Sequence, residues 1–452
     1  MTDMTIVAGL VGAGEFGATF LAQARRIAGL HVRLVCDRDP ERARAALAAA
    51  GVPEDEIAAC ASRPAAVAAI EAGRVAIVED VSLLAGLPLT VVLEATGDPE
   101  GGALTAETAL ANGYHTVLAT KETEVQIGPE LARRARAAGL VHAPVEGDQP
   151  ALLIALVARA RLLGLPVVAA GKSTESDYVF DRAAETVTSW GRSTKAQGYG
   201  DLFEPGAGLR ERLAERELPG LATGTVPDLC EMTIVANCCD LAPDRPELHA
   251  PVARTTELPQ VFSPQGDGGI LDRMGVVDVF AHLRRTDELS FAGGVFVVVE
   301  APDPATGRLL AGKGIPGAAE GRYLLLHNPV HLLGVEAVAS VLAAARGAAP
   351  LGDEEVRPRF DLAARAARDI AAGEVLALGA RHAIEALEPL ILPAEPIAPR
   401  GRVPYYLAAG HRALRPIAKG EVLTVADVDL DPQSARYRLR RSQDRAFGLS
   451  LA

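Results

Sequence analysis

A glycine-rich segment, Gly12-Ala-Gly-Glu-Phe-Gly17, constrains the fold of this 452-residue chain more than any other feature. It follows a β-branched apolar run, Thr5–Val11, and opens an amphipathic stretch that predicts a helix to about Ala28. In such a strand–turn–helix unit the first glycine permits a tight turn, the second lets the backbone approach a pyrophosphate, and the third lets helix and strand pack closely. The free N–H groups at the helix N-terminus would face the phosphates. The segment therefore predicts a dinucleotide-binding turn made by Gly12, Gly14, Glu15, Phe16 and Gly17.

The first 150 residues alternate between strand-like and helix-like patterns. The apolar runs that predict buried strands are each followed by a helical stretch, and they are Thr5–Val11, His31–Cys36, Leu89–Glu94, His115–Ala119 and Leu140–Val145. Strands that alternate with helices in this way form βαβ units and a parallel sheet. We therefore predict an α/β fold in which residues 1–150 form a doubly wound Rossmann domain.

Polar residues at the ends of these strands predict the rest of the cofactor site. Asp37 ends the second strand, 20 residues after Gly17, where a carboxylate can accept hydrogen bonds from ribose hydroxyls. A carboxylate would repel the 2′-phosphate of NADP and so favours NAD, although the neighbouring Arg38 could turn toward that phosphate and admit NADP. The motif Ala95-Thr96-Gly97 and the residue Thr120 end the next two central strands, at the edge where a nicotinamide ribose would lie.

Lysine is rare in this chain, which makes its positions informative. Five lysines stand against 40 arginines (45 basic residues less five). Lys121 and Lys172 each follow a predicted strand at the edge that faces the cofactor. Hydride transfer at a carbonyl needs a group that moves the hydroxyl proton and a charge that polarises the oxygen, and lysine can do both. We predict that Lys172, helped by Lys121, is catalytic, although solvated lysines at strand ends would show the same pattern.

Carboxylates and histidines could complete such a site. Asp148 is a candidate general base or ligand of a divalent metal, and equally a candidate N-cap for the helix that follows it. Lys313 could bind an anionic group of the substrate as a point charge, and would otherwise be a turn lysine. His327 and His331 have the i,i+4 spacing of metal ligands on a helix, but Pro329 makes a helix through both unfavourable. We predict that these histidines bind substrate, and the sequence leaves the metal content open.

The pattern changes after residue 150. Residues 151–347 combine helices with strand-like runs, which predicts an α+β domain, and their polar tract Ser173–Asp228 has the low periodicity of a functional loop or lid. Beyond residue 347, Arg368–Leu376 recurs as Arg415–Leu423 with seven of nine positions identical. The prolines between the two copies are unfavourable for a helix. We predict a small β-rich domain at residues 348–452, and both copies resemble the SAF (antifreeze-like) module.

These motifs together resemble a known family. Gly12–Gly17, Ala95–Gly97 and Thr120-Lys121 are similar to the cofactor domain of homoserine dehydrogenase. The whole chain is more similar to homoserine-dehydrogenase-like NAD(P)-dependent oxidoreductases with a C-terminal SAF domain. That group includes a second class of 1-deoxy-D-xylulose 5-phosphate reductoisomerase. Further matching segments are Ile127-Gly-Pro129, Ala170-Gly-Lys172, Gly268-Gly269, Gly275-Val-Val-Asp278, Gly293-Gly-Val-Phe-Val297, Gly312-Lys-Gly314 and His327-x-Pro-x-His331.

The resemblance implies an enzyme that acts on a CH–OH or C=O group of a small anionic substrate. It also implies a homo-oligomer, such as a dimer, built through the catalytic domain at residues 151–347. Two departures separate this chain from the reductoisomerases: Asp37 favours NAD over the NADPH that they use, and the tract Ser173–Asp228 does not match them well. We expect hydride transfer between NAD or NADP and a sugar acid, sugar phosphate or polyol derivative. The alternatives are a reductoisomerase-like enzyme, a homoserine dehydrogenase, or a non-catalytic NAD(P)-sensing protein.

Charge and composition limit the kinds of partner and the cellular location that we expect for this chain. A net charge of −13 argues against nucleic-acid binding, which needs a basic face. The N-terminus has no signal-peptide pattern, and the most apolar stretch, Ala151–Gly171, contains Arg159, Arg161 and Pro166, which is not typical of a membrane span. The five cysteines include no C-x-x-C pair, which is typical of reduced thiols. We expect a soluble cytoplasmic protein.

Overall fold

The N-terminal region forms a parallel seven-stranded sheet flanked by helices. In the computed structural model, which describes residues 5–203, 208–348 and 356–451, the strand order is β3-β4-β2-β1-β5-β6-β7. The strands are β1 Ile6–Val11, β2 Leu30–Cys36, β3 Ile57–Ala59, β4 Val75–Val78, β5 Val91–Glu94, β6 His115–Leu118 and β7 His142–Pro144. The helices between them are α1 Glu15–Ala24, α2 Pro40–Ala49, α3 Arg63–Glu71, α4 Pro99–Ala111 and α5 Lys121–Ala137.

Local sequence explains why these elements begin and end where they do. β1 and β5 are almost wholly buried, as expected of central parallel strands covered on both faces. Helix α2 begins at Pro40, whose missing N–H costs nothing in the first turn, and the side chain of Asp39 accepts the N–H of Glu41 and Arg42. Helix α1 ends at Ala24, a turn earlier than the sequence predicts.

The second region is built on a mixed sheet with ten strands. Its main path runs β11-β10-β9-β14-β8-β15-β17-β16, and β12 and β13 pair with β14. The strands are β8 Val167–Ser173, β9 Tyr178–Asp181, β10 Thr186–Ser189, β11 Arg192–Lys195, β12 Ala242–Pro243, β13 Val252–Ala253, β14 Val276–Arg285, β15 Val295–Glu300, β16 Gly317–Ala318 and β17 Tyr323–Asn328. The helices are α6 Gln149–Leu162, α7 Leu209–Arg216, α8 Val226–Cys239, α9 Leu258–Val261, α10 Pro304–Gly312 and α11 Ala337–Ala345. Helix α11 packs back onto the first sheet, where Ala337 and Val341 join its hydrophobic core.

The polar tract Ser173–Asp228 is not an irregular lid over its described residues, which exclude 204–207. It contributes β9, β10 and β11, which extend the second sheet: β9 pairs with β14 in parallel, and β10 and β11 follow as antiparallel strands. Their buried side chains, among them Tyr178, Phe180 and Val187, form a small separate core. The strands are only four residues long, so the alternation of buried and exposed positions is too brief to stand out in the sequence.

The third region contains the internal repeat and folds around it. Strands β18 Phe360–Ala366 and β19 Leu387–Pro393 are antiparallel, and helix α12 spans Ala435–Ala446. The two copies of the repeat pair with each other: the N–H of Ile370 donates to the carbonyl of Ile417 at 2.9 Å, and the reverse bond is 3.0 Å. These two isoleucines are equivalent positions of the two copies. The two copies therefore form a pseudo-twofold unit. Of the domain predicted at residues 348–452, residues 349–355 and 452 lie outside the described residues.

The third region packs against both of the other regions. Helix α12 places Ala435 and Leu439 in a common core with residues of α4 and α5. Helix α8 is buried on all sides between the second sheet and the third region. The predicted α/β fold with an N-terminal Rossmann-type sheet is confirmed. Within the described ranges, none of the helices combines the length and the apolarity that crossing a membrane requires.

Candidate functional site

The glycine-rich turn after β1 has the geometry that a phosphate-binding turn needs. Gly12 has φ +95°, and a Cβ atom there would lie 2.4 Å from the carbonyl oxygen of Ala95. A Cβ atom at Gly17 would lie 2.2 Å from the carbonyl oxygen of Gly12, so helix α1 can approach the strand only with glycine there. Gly14, the N-cap of α1, has no atom within 4 Å of its Cβ position. Two glycines therefore shape the turn, and the middle one leaves open space beside the helix N-terminus.

That open space belongs to a cavity at the carboxyl edge of the first sheet. The cavity has a volume of about 430 Å³ and lies against Gly14, Asp37, Arg38, Ala95 and Thr96. Glu15 and Phe16 form the first turn of α1. A dinucleotide phosphate placed in this cavity would meet free N–H groups at the start of α1. The structure thus brings six of the predicted cofactor residues, which follow β1, β2 and β5, together around one cavity: Gly12, Gly14, Asp37, Arg38, Ala95 and Thr96.

Asp37 lies at the rim of this cavity and is 8% exposed. One of its oxygens accepts the N–H of Ala13 at 2.8 Å, and the other accepts the N–H of Asp39 at 2.9 Å and the guanidinium of Arg42 at 3.0 Å. These bonds fix the carboxylate at the end of β2. The remaining lone pairs can accept hydroxyl donors.

Glu94, which the sequence analysis did not select, organises the next two strand ends. Its buried carboxylate accepts the N–H of Thr96 at 2.7 Å and the hydroxyl of Thr120 at 2.9 Å. The Thr120 hydroxyl oxygen in turn accepts the N–H of Gly97 at 2.9 Å. Burial raises the pKa of Glu94, and the hydrogen bonds from the two threonines oppose that rise. Through this network the turn after β5 is held beside the start of α5, where Lys121 lies.

Lys121 and Lys172 meet at one carboxylate. The carboxylate of Glu231, on α8, is fully buried and receives the ammonium groups of both lysines, with Lys172 Nζ 2.5 Å from Oε2. Lys172 is also fully buried and lies 2.9 Å from Asp228 and 3.3 Å from Glu175. The two lysines therefore lie in one charged cluster that joins the Rossmann sheet to the second sheet. We name Lys121, Lys172, Glu231, Asp228 and Glu175 the lysine cluster.

Both lysines hold their positive charge firmly. Burial disfavours the charge of Lys172, but the carboxylates of Glu231, Asp228 and Glu175 outweigh burial and raise its pKa above the usual value. Burial likewise opposes the charge of Lys121, and Asp148 and Glu231 raise its pKa well above the usual value. An ammonium group with a raised pKa can polarise an oxygen at neutral pH, but it does not take up a proton there.

Asp148 and Glu122 border the lysine cluster with less firmly held charges. Asp148 caps α6 by accepting the N–H of Gln149 at 3.0 Å, and its carboxylate is 4.0 Å from the ammonium group of Lys121. Burial raises the pKa of Asp148, and Lys121 opposes the rise. Burial also raises the pKa of Glu122 to about 7, again against the charge of Lys121. These two carboxyl groups can exchange protons under conditions where the lysines cannot.

The three predicted substrate-binding residues lie in different places. His331, in the loop after β17, places Nε2 3.5 Å from the amide nitrogen of Gln149, whose amide also donates to Glu175 of the lysine cluster. His327 lies near the end of β17 and is exposed. Lys313 is the exposed C-cap of α10, and nowhere in residues 5–203, 208–348 and 356–451 does a hydrogen bond or ion pair join it to the lysine cluster. Of the three, His331 is the one beside the site.

Sequence patterns alone could not place the acidic half of the lysine cluster. Helix α8 is buried on every side, so its exposed and buried positions do not alternate. The available signal is a pair of acidic residues, Asp228 and Glu231, three positions apart on one face of an otherwise apolar helix. In the described part of the chain, three or more His, Cys, Asp or Glu side chains are nowhere grouped as a metal site requires.

The central region of the chain is similar to a known protein family. A protein-family model described as "Oxidoreductase DRL, catalytic domain" matches residues 147–337. This segment contains Asp148, Lys172, Asp228 and Glu231. The match confirms the expectation of an oxidoreductase. A search of curated proteins found no match.

Solved structures similar to this one include sugar and polyol dehydrogenases. They include scyllo-inositol dehydrogenase from Lactobacillus casei (17% identity, 38% of this chain and 47% of that chain covered, TM-score 0.27). WlbA dehydrogenase from Bordetella pertussis, solved with NADH and UDP-GlcNAcA, has 18% identity, with 41% of this chain and 47% of that chain covered and a TM-score of 0.28. The chain thus matches about half the length of these structures.

Proposed function

We propose that the protein transfers hydride between NAD and a small, polyhydroxylated substrate. The observation that carries this proposal is the cavity beside Gly14, which is also lined by Ala95 and Thr96. The carboxylate of Glu94 accepts hydrogen bonds from Thr96 and from Thr120, which immediately precedes α5. That link holds Thr120, and with it the start of α5 at Lys121, beside the turn after β5, which supports a position for the nicotinamide on this side of the cavity. Bound there, the nicotinamide would supply the acceptor or donor of hydride.

The lysine cluster supports the proposal through its fixed positive charge. Lys172 and Lys121 both contact Glu231 and keep their protons at neutral pH, so they can stabilise negative charge that develops on a substrate oxygen. A cation preorganised in a buried site stabilises such charge more than one in water does. The role proposed for the lysines is therefore polarisation of the oxygen, and proton transfer belongs to other groups.

The charges around the cluster favour a substrate rich in hydroxyl groups. Two ammonium groups, of Lys121 and Lys172, face four carboxylates, those of Glu231, Asp228, Glu175 and Asp148. Carboxylates accept hydrogen bonds from hydroxyls and repel anions. Among the substrates that the sequence leaves open, this balance supports polyol and sugar derivatives, with any anionic group held away from the cluster.

The acidic rim of the cavity supports NAD over NADP. Glu79 and Asp80 border the cavity together with Asp37, while Arg38 and Arg42 are the basic residues at the same end. Arg42 is already paired with Asp37 at 3.0 Å. This end of the cavity is therefore bordered by three carboxylates and two arginines, one of which is paired with a carboxylate. Such a balance of charge disfavours the binding of a 2′-phosphate.

A dehydrogenase screen tests the proposed function. The purified protein would be incubated with oxidised NAD or NADP and a panel of polyols, sugar acids and homoserine, or with the reduced cofactors and deoxyxylulose phosphate. Each reaction would be run with and without Mg²⁺ or Mn²⁺, and reduced nicotinamide would be followed by its absorbance. We expect NAD reduction with a polyol or sugar derivative. Tight binding of NADH without turnover of any compound would instead favour a cofactor-sensing protein.

A further inference from the structure

One short turn of the third region lies near the lysine cluster. The turn spans Ala380–His382, and its two residues Arg381 and His382 have φ +54° and +53°. Neither residue is glycine, so the left-handed conformation costs free energy that the surroundings must supply. Two consecutive left-handed residues form the mirror-image turn of a tight hairpin, which the N–H of Ala383 closes by donating to the carbonyl of Ala380.

A contact with the second region holds this turn. The guanidinium of Arg381 lies over the indole ring of Trp190, with 4.1 Å from Cζ to the ring centroid. Trp190 occupies the turn between β10 and β11, where its backbone N–H donates to the hydroxyl of Ser176 at 2.8 Å. A cation over an indole face at this distance is a favourable pairing. The tract predicted as a loop thus anchors a turn that belongs to the third region.

The imidazole of His382 points at the predicted reacting end of the cofactor cavity. Its Nδ1 atom is 3.2 Å from Oε1 of Glu122. A side-chain carbon added at Gly97 would lie 3.6 Å from Cε1 of His382. In the described part of the chain, Nδ1 and Oε1 are both buried and neither has a hydrogen-bond partner, so the two atoms form a close contact that is not aligned as a hydrogen bond. The imidazole side chain as a whole is 41% exposed, so its other nitrogen can be reached from the cleft.

The charges around this pair suit a group that accepts a proton. Lys121 on α5, Asp148 at the start of α6 and Glu231 on α8 face Glu122. Burial lowers the pKa of His382, and the charge of Lys121 lowers it further, so the imidazole is neutral at neutral pH. The lysines are charged, which leaves His382 as a neutral nitrogen base beside Gly97.

We propose that the third region completes the reaction site, with His382, supported by Glu122, facing the reacting end of the cofactor and taking up the proton of the substrate hydroxyl. This inference rests on the proposed function. A proton on Nδ1 would face Oε1 of Glu122 and would leave Nε2 as the acceptor, an arrangement in which a carboxylate orients an imidazole base.

The step balances as an ordinary alcohol oxidation. The substrate C–H bond breaks and its electron pair leaves with the hydrogen to the nicotinamide ring of NAD. The O–H bond breaks, the C=O double bond forms, and the proton moves to Nε2 of His382. The carboxylate of Glu122 stabilises the resulting imidazolium, which then returns its proton to water. In the reducing direction the same groups act in reverse.

Carbethoxylation of histidines in the full-length wild-type protein tests the position of His382. Diethyl pyrocarbonate modifies neutral imidazoles, and mass spectrometry would give the rate at His382 with and without NADH. His31, exposed at the start of β2, is the internal reference. At an NADH concentration about ten times its Kd, we expect the rate at His382 to fall about tenfold while the rate at His31 is unchanged. NADH affinity would be measured separately by fluorescence titration.

The outcomes separate this inference from the proposed function. If NADH binds but the rate of carbethoxylation at His382 does not change, the inference is wrong, whereas the proposed cofactor site is not affected. Failure of NADH to bind would overturn both. The proton role is tested with the substrate from the screen: His382→Gln should lower kcat by about 100-fold or more with NADH affinity preserved. His411→Gln, in the same region but bonded to the carbonyl of Asp429, is the matched control, and equal turnover of the two variants would refute the proton role.

Discussion

Replacement of Gly14 by alanine should separate cofactor binding from folding. Gly14 has φ −71° and ψ −166°, a backbone conformation that alanine adopts without strain, and its Cβ position has no atom within 4 Å. An N-cap glycine is somewhat better than alanine, so we expect Gly14→Ala to change the free energy of unfolding by less than about 1 kcal/mol. The added methyl group would nevertheless project into the space that a pyrophosphate needs.

The expected loss of affinity follows from the bonds at the start of α1. Hydrogen bonds from backbone N–H groups to a charged phosphate contribute roughly 1.5 to 3 kcal/mol each. Loss of one such bond corresponds to a roughly 10- to 100-fold increase in the Kd of NADH. Gly17→Ala is the contrasting variant, because its Cβ would lie 2.2 Å from the carbonyl oxygen of Gly12. That overlap forces helix α1 away from β1 and should cost about 1 to 3 kcal/mol of stability.

Two measurements on each variant check the reasoning. NADH affinity would be measured by fluorescence titration, and stability by urea unfolding followed by circular dichroism. We expect Gly14→Ala to bind weakly but unfold like the wild type, and Gly17→Ala to unfold at lower urea. If Gly14→Ala bound NADH with wild-type affinity, the cavity beside α1 would not be the pyrophosphate site.

Three further predictions concern other parts of the site. Asp37→Ser, which keeps an acceptor near the N–H of Ala13, should raise the ratio of NADP to NAD turnover; an unchanged ratio would exclude Asp37 from cofactor choice. Lys172→Met should lower turnover by more than about tenfold, whereas the exposed Lys195→Met should match the wild type; circular dichroism would check that Lys172→Met still folds. The folded pKa of Glu122, about 7 against 4.5, lies above its unfolded value, so its contribution to stability is present below pH 4.5 and lost as the pH rises through 7. Urea midpoints of the wild type should fall over that range by an amount equivalent to about 3 kcal/mol more than those of Glu122→Gln, and parallel curves would contradict the raised pKa.

Local patterns were sufficient to predict five of the seven strands of the first sheet, all except β3 and β4, and most of the residues around its cavity. The glycine turn, the strand-end residues Asp37 and Thr96, and the lysines at positions 121 and 172 all lie close to predicted strands. Because parallel strands end at one edge of a sheet, the chain order of such residues already places them together. The exception in detail is Lys172, which lies inside β8 rather than after it.

The rest of the site depends on contacts between distant segments. Glu231 lies on a helix without amphipathic periodicity, and its partner Lys121 is 110 residues away in the chain. His382 lies still further away, on a turn whose left-handed backbone no residue type signals. Trp190 lies in a polar tract whose sequence gives no sign of the contact that it makes with Arg381. Such pairings follow from how three regions pack against each other, which hydrophobic periodicity does not encode.

The pairing of the two repeat copies has a consequence for how the third region could have arisen. Each copy supplies a hydrogen-bond acceptor to the other. The N–H of Gly373 donates to the carbonyl of Ala413, and the N–H of the equivalent Gly420 donates to the carbonyl of Ala366. A single copy would leave these bonds unmade, so an ancestor with one copy would have needed a second molecule. Duplication and fusion within one gene would remove that need and free the copies to diverge. The two copies are 47 residues apart (415 less 368), and the position 47 residues after His382 is Asp429. One copy could therefore acquire a histidine base while the other copy conserved the fold of the unit.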